Sequence, residues 1–277
     1  MTMLSINTNV GALQAASASY SVNKSMDTSM QRLSTGKRIN SAADDAAGVQ
    51  IANRLTAEIQ GLNMAIRNAA DAQALLATAE GAMQEIHNIM LRQRELAVQA
   101  SNGTNSAADN LALQNEVEAL ETEINRIATD TTWAGIVLLD GTQTNGLIFQ
   151  IGADSGQTVS HSISEMTTAG AVPGVASSVG LTTTAKAMAY ITSVDGAISS
   201  LGAEREQIGA VMNRLDHTIA NLDNISTNLS LAKGRIEDAN FATESANLAR
   251  TQVLQQASMA MLAQANASKQ NILTLFQ

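Results

Sequence analysis

The chain has 277 residues, no cysteine and a net charge of −9, which excludes a disulfide framework or thiolate metal site and disfavours nucleic acid as a partner. Apolar residues make up 45% of it but aromatics only 2%, and a single proline, Pro173, leaves both halves free of helix breakers. Such a composition suits long, close-packed helical bundles better than an ordinary aromatic-rich core.

Residues 5–33 place Ile6, Val10, Leu13, Tyr20, Met26, Met30 and Leu33 mostly at three- and four-residue spacing, which predicts a first helix. Gly36 stands where a helix C-terminus wants the left-handed conformation. Ser41, with Asp44 three residues on, reads as the N-cap of the next helix with an acid in its first turn. That second helix is predicted over residues 44–100. Leu55, Leu62, Ala69, Leu76, Met83, Met90 and Ala97 recur every seventh position, and Leu75, Ala82, Ile89 and Leu96 form a companion row as the stripe drifts.

Ser101–Ser106 is a turn by composition, and Leu113, Val117, Leu120, Ile124 and Ile127 mark a third helix. Residues 131–182 change character. Ile136–Leu139, Leu147–Ile151 and Gln157–Ile163 are short β-type runs, and the Asp-Gly and Asn-Gly pairs between them predict hairpins. Residues 165–182 read as an outermost loop. Then Val194, Leu201, Ile208, Leu215, Leu222, Leu229 and Ile236 occupy seven consecutive heptad positions, with Ile191, Ile198, Met212 and Ile219 beside them. This is a coiled-coil seam. A final helix carries Phe241, Leu248, Leu254, Met261, Ala265, Ile272 and Leu275, with Val253, Ala257 and Ala260 on another side. Apolar surface on two sides calls for more than one neighbour.

Charge is uneven. Asp27 is the one acid in residues 1–30 and Glu244 the one acid in residues 241–277, where the bases are Lys24, Arg250 and Lys269. Nearly uncharged ends of this kind are helices awaiting partners, some of them on other chains. The expected fold class is mainly α: a long antiparallel coiled-coil or helical-bundle hairpin, N- and C-termini together, with a small β-hairpin region near the middle of the chain.

Chemistry is thinly represented. Asp44-Asp45 is covered by a helix start, and His87, His161 and His217 lack metal-ligand spacing. Gly152–Gly156 lacks the lysine of a phosphate loop. No nucleophile–base arrangement supports an enzyme, and neither a metal nor another cofactor is expected. No segment approaches the roughly 20 apolar residues of a membrane span, and no basic-then-apolar signal peptide opens the chain. An amphipathic lipid-surface role would need basic faces and bulky aromatics, which the ends lack.

Several segments together resemble the bacterial flagellins, over essentially the whole chain. They are Ile6-Asn-Thr-Asn9, Arg32-Leu-Ser-Thr-Gly-Lys-Arg-Ile-Asn-Ser-Ala-Ala-Asp-Asp-Ala-Ala-Gly48, Arg94-Glu-Leu-Ala-Val-Gln99, Asn125-Arg-Ile127, Arg235-Ile-Glu-Asp-Ala-Asn-Phe-Ala-Thr-Glu244 and Leu262-Ala-Gln-Ala-Asn266. Two departures stand out: Trp133-Ala-Gly135 where the family usually has Phe-Asn-Gly, and Asn240 where Asp is common. The short middle implies a form without large surface domains.

The resemblance implies a structural subunit that polymerises into the flagellar filament for motility. The alternative is a hook–filament junction protein, a structural relative that caps and joins. It divides the chain into an inner helix with linker (1–43), the first part of an outer core domain (44–182, its β-hairpin region 131–182), the second part of that domain (183–238) and an inner C-terminal helix (239–277). Ile6, Val10, Leu13, Leu33, Phe241, Leu248, Leu254, Met261, Ile272 and Leu275 would serve as polymerisation arms. Leu55, Leu62, Leu76 and the seven heptad positions from Val194 to Ile236 would form the outer core. Implied partners are other copies of the chain, an export chaperone gripping the C-terminal arm, and cap and hook-associated proteins. The implied location is the extracellular filament, reached without a cleaved signal peptide through the flagellum's own secretion channel. Host innate receptors read one broad class of flagellins through outer-domain positions that correspond to Arg92, Leu96 and Glu116 here. The plainer role for these three is core packing by Leu96 and an ordinary ion pair between the other two.

Overall fold

The computed structural model describes residues 8–143, 146–170 and 180–274, with side chains as far as residue 268. The chain divides into two compact units, one of Met1–Ala57 with Asn228–Gln277 and the other of Glu58–Thr227. Among the described residues the fold is mainly helical, as expected, with five helices and two small antiparallel hairpins.

In the first unit, α1 (Val10–Thr35) lies antiparallel to α5 (Phe241–Thr274). Asn9 caps α1 by accepting from the Ala12 amide at 3.1 Å, and its side-chain nitrogen donates to the Ala265 carbonyl at 3.2 Å. The two helices pack directly against each other, and α1 buries Ala15, Ser19 and Ser29. On α5 the sheltered stripe is Glu244, Leu248, Thr251, Gln255, Ser258, Leu262 and Ala265, at three- and four-residue spacing. The ends thus find a first partner in each other.

The joint after α1 is tied to the C-terminus of α4 by hydrogen bonds and an ion pair. Gly36 ends α1 with φ 71°, a conformation that costs glycine nothing. Arg38 then donates its backbone N–H to the Glu237 carbonyl at 2.7 Å and its guanidinium to the Ile236 carbonyl at 2.8 Å. The Lys37 ammonium pairs with the Glu237 carboxylate, and the Ala239 N–H donates to the Gly36 carbonyl at 2.9 Å. Two cations and an amide therefore occupy the C-terminus of α4 (Thr184–Glu237), where carbonyls lack partners and the dipole is negative.

The predicted cap of the next helix is corrected by four residues. Ser41 opens a separate turn, in which the Asp44 carboxylate accepts from the amides of Asn40 and Ser41 at 3.0 and 2.9 Å. Those amides hold the Asp44 carboxyl below the usual carboxylate range. α2 (Ala46–Ala100) begins after Asp45, whose carboxylate accepts from the Gly48 N–H at 2.8 Å. Two adjacent acids thus do two different jobs, which spacing alone did not separate.

In the second unit the expected row from Leu62 to Ala97 on α2 is buried throughout. Of the expected companion row, Leu75 and Leu96 are buried, and a further row lies beside them. Ala65, Ala72, Ala79, Ile86, Gln93 and Ala100 are all buried, whereas Ala82 and Ile89 are only half-buried. Alanines and a glutamine make no visible apolar stripe, so periodicity passed over them. On α4, Val194, Leu201, Ile208 and Leu215 are fully enclosed, with Tyr190, Ala197 and Glu204 buried beside them in place of Ile191 and Ile198. Cross-helix polar contacts fix the antiparallel register of α2 and α4: Gln73 to Asp216 at 2.6 Å, Arg205 to Glu80 at 2.7 Å and Arg94 to Asp195 at 2.6 Å. Burial, with Glu121 alongside, pushes the Tyr190 phenol above its ordinary range.

α3 (Ala107–Asp130) starts on a capping box between Ser106 and Asp109. The second and third β-type runs pair as expected, and the first finds a different partner. β1 (Thr132–Trp133) and β2 (Ile136–Val137) form one hairpin, β3 (Leu147–Gln150) and β4 (Thr158–His161) a second, and the Asp140-Gly141 turn joins strands that do not pair. Asp140 spends its carboxylate on the Thr142 amide and hydroxyl. At the tip of the first hairpin Ala134 has φ 49° and Gly135 φ 85°, the two positive angles of a type I′ turn. An alanine held there costs about 1 kcal/mol. Ala134→Asn is therefore expected to raise the stability of the second unit by about that amount, read as a higher urea midpoint at unchanged slope; a lowered midpoint would contradict it.

Residues 165–182, expected as an outermost loop, are anchored where they are described. Ile163, Met166 and Leu181 are buried. Thr168 bonds Asn125 at 3.0 Å, the Ser164 N–H donates to Glu204 at 3.1 Å, and the Leu181 N–H donates to Gln114.

Candidate assembly surfaces

The first unit exposes what a lone chain in water should bury. On α1, Val10 and Leu13 are more than half exposed and Tyr20 is 75% exposed. On α5, Phe241 reaches 71%, Met261 68% and Val253 65%, with Leu254 and Met259 also exposed. These side chains lie on the flanks of the α1–α5 pair, away from its sheltered stripe. Scattered apolar residues on a surface mean nothing, but a run of them along paired, nearly uncharged helices marks an interaction surface.

The other expected arm residues are placed differently. Leu33 and Leu248 are half-buried within the pair, so they serve its internal packing. Ile6 and Leu275, and the side chain of Ile272, lie outside the described residues.

The α1–α5 register is set by a polar clasp that sequence reading missed. Glu244, 7% exposed, accepts from the Arg32 guanidinium at 2.9 Å and from the Ser29 hydroxyl at 3.0 Å. Its partners lie more than 200 positions away, so spacing could not reveal them; the only signal was an acid alone in an uncharged helix. Burial pushes the Glu244 carboxyl up, but the bonds from Arg32, Ser29 and Asn247 outweigh it and hold the group below its ordinary value.

A group whose folded pKa is depressed stabilises fully above its unfolded pKa and loses that contribution as pH falls through the folded one. Amide exchange in residues 10–35 and 241–268 is thus expected to accelerate, relative to Glu244→Gln, as pH falls below about 4. An unsubstituted chain that tracks the Gln variant at every pH would refute this.

The outer-core positions follow a gradient. Leu55, Leu62, Leu76, Val194, Leu201, Ile208, Leu215 and Leu222 are buried, whereas Leu229 and Ile236 are half-buried. Arg92 pairs with Glu116 at 2.9 Å and with Glu95 at 3.1 Å, all three on the surface. Leu96, 1% exposed, lies in the core beneath them. An exposed pair of this kind adds little stability. Among the described residues no helix is long and apolar enough to cross a membrane, and no three acidic or histidine side chains gather as a metal site.

Comparison with known proteins agrees with this layout. Residues 6–144 match the family model for the bacterial flagellin N-terminal helical region, and residues 191–276 match that for the C-terminal helical region. A flagellin of Bacillus subtilis strain 168 is 39% identical, over 98% of this chain and 99% of its own length. One from Halalkalibacterium halodurans is 40% identical over 90% of each. A solved structure from Vibrio parahaemolyticus, provisionally assigned as a flagellar hook-associated protein, covers 70% of this chain and all of its own with a TM-score of 0.60. At 14% identity it shares the fold alone.

Proposed function

The chain belongs to the bacterial flagellin family, and from that premise we propose how its two units divide the work of building a filament. It is a structural subunit of the flagellar filament, and the hook–filament junction alternative is not favoured, because both flagellin regions match and relatives align over nearly their whole lengths.

The α1–α5 pair is the polymerising arm, and residues 58–227 supply a rigid part of the filament wall. The observation that carries this is the apolar flank of the pair, Val10, Leu13, Tyr20, Phe241, Val253 and Met261, exposed on helices already packed against each other. Head-to-tail contacts between such flanks do not close on themselves, so they propagate as a helix. Negative-stain microscopy of the purified chain after salting-out or seeding tests it. Long uniform filaments are expected; short caps on existing ends would return the junction reading.

The same exposed side chains of α5 suit an export chaperone that holds the arm before assembly, and cap and hook-associated proteins would meet the arms at the filament's ends. Export through the flagellar channel requires the chain unfolded, which the absence of cysteine eases. Co-purification of the chaperone should be lost when residues 241–277 are removed. Host-receptor recognition would rest on Arg92 and Glu116, with Leu96 supporting α2 from within. Monomer whose affinity for the receptor ectodomain survives Arg92→Ala would refute that assignment.

A further inference from the structure

The charges of the arms do not balance within one chain. Asp27 is the one acid of residues 1–43, and Glu244 is the one acid of residues 241–277. Glu244 is already committed to Arg32 and Ser29. Among the described residues, Asp27 and Arg250 make no ion pair. The register should let them meet, since Arg32 bonds Glu244 and Asn23 bonds Gln255, which brackets Asp27 and Arg250 at one level of the α1–α5 pair. Both instead stand exposed.

Arg250 lines a cleft of about 350 Å³ together with Ser25, Ser29, Arg32, Glu244 and Asn247. Its guanidinium meets only the Asn247 side chain, at a stretched 3.5 Å. Deeper in, the Nε of Arg32 is buried and has no hydrogen-bond partner. Glu244 is neutralised by its clasp, so the cleft offers unused guanidinium donors and net attraction for one carboxylate.

Resting on the assembly reading above, we propose that Asp27 of a neighbouring copy seats in this cleft and pairs with Arg250. Burying apolar flanks between copies takes nearby charges out of water, and a charge so buried is tolerated only when paired. Asp27 is the uncommitted acid the arms can offer, and a guanidinium takes a carboxylate through two parallel bonds, which the ammonium of Lys24 cannot do.

The test is a charge exchange in the full-length chain. At a concentration where the unsubstituted chain forms filaments, Asp27→Arg alone and Arg250→Asp alone are each expected to form none. An equimolar mixture of the two should polymerise, because copies of the two variants that alternate join opposite charges at each contact, and the chain carrying both changes should polymerise by itself. The neutral variants Asp27→Asn and Arg250→Gln, which keep size and helicity, should each raise the concentration required. Single variants that assemble like the unsubstituted chain overturn the pair while leaving the assembly reading intact. A doubly changed chain that polymerises while the mixture does not places the pair within one chain and equally overturns the proposal. Rescue of Asp27→Arg by Lys24→Glu instead of Arg250→Asp overturns the choice of partner. An unsubstituted chain that never polymerises removes the assembly reading and this pair with it.

Discussion

Replacing Leu215 with aspartate is expected to abolish the cooperative thermal transition of residues 58–227. Leu215 is fully enclosed, in one core with Leu76, Met83, Ile86 and Ile208. Removing its side chain forfeits about 3 kcal/mol of packing, and the carboxylate adds a charge enclosed among apolar side chains, for a loss of about 5 kcal/mol or more. A domain's whole stability is about 5–15 kcal/mol. The same change at Leu229 should be far milder, because that position is half-buried and its carboxylate can reach water. Far-UV circular dichroism on heating separates the two cases. Equal melting of the Leu215 and Leu229 variants would show that the heptad row is not graded in this way.

The second large effect concerns the arms. A chain trimmed to residues 46–237 is expected to keep a cooperative melt and to form no filaments at any concentration. The second unit retains its enclosed core, from Ala69 through Leu215, without a residue from α1 or α5. The trimmed chain lacks every exposed apolar side chain of the α1–α5 flank. Filaments from it under the conditions that assemble the full chain would take polymerisation away from the arms. Loss of its melt would show that the second unit borrows stability from the first.

Much of the outer core was legible because branched aliphatics at heptad spacing announce themselves. Val194, Leu201, Ile208 and Leu215 are large, apolar and enclosed, so pattern and burial coincide. The matching row on α2 is built from Ala65, Ala72, Ala79 and Gln93, small or polar side chains whose burial a pattern of large aliphatics does not announce. The strand pairing misled for a related reason. Asp140-Gly141 has the chemistry of a hairpin turn, yet hairpins are also decided by what packs beneath them, and the turn actually used was Ala134-Gly135, which lacks the usual asparagine. Among the exposed apolar side chains of α1 and α5, Val10, Leu13, Phe241, Leu254 and Met261 could be read from apolar periodicity in nearly uncharged helices. The Arg32–Glu244 clasp could not, because it joins residues that only the fold makes neighbours.

The cap that Lys37 and Arg38 place on Glu237 has a consequence for the order of events. About 200 residues lie between the two halves of that contact, and 256 positions separate Asn9 from Ala265. Closing so long a loop carries an entropic cost that local helices do not bear, and contacts so distant in sequence form slowly. Whichever end of the chain is free to fold first, it has no partner until the other is free as well. The first unit therefore cannot complete itself on part of the chain. Sequence separation by itself keeps the α1–α5 pair unmade until both ends are present together.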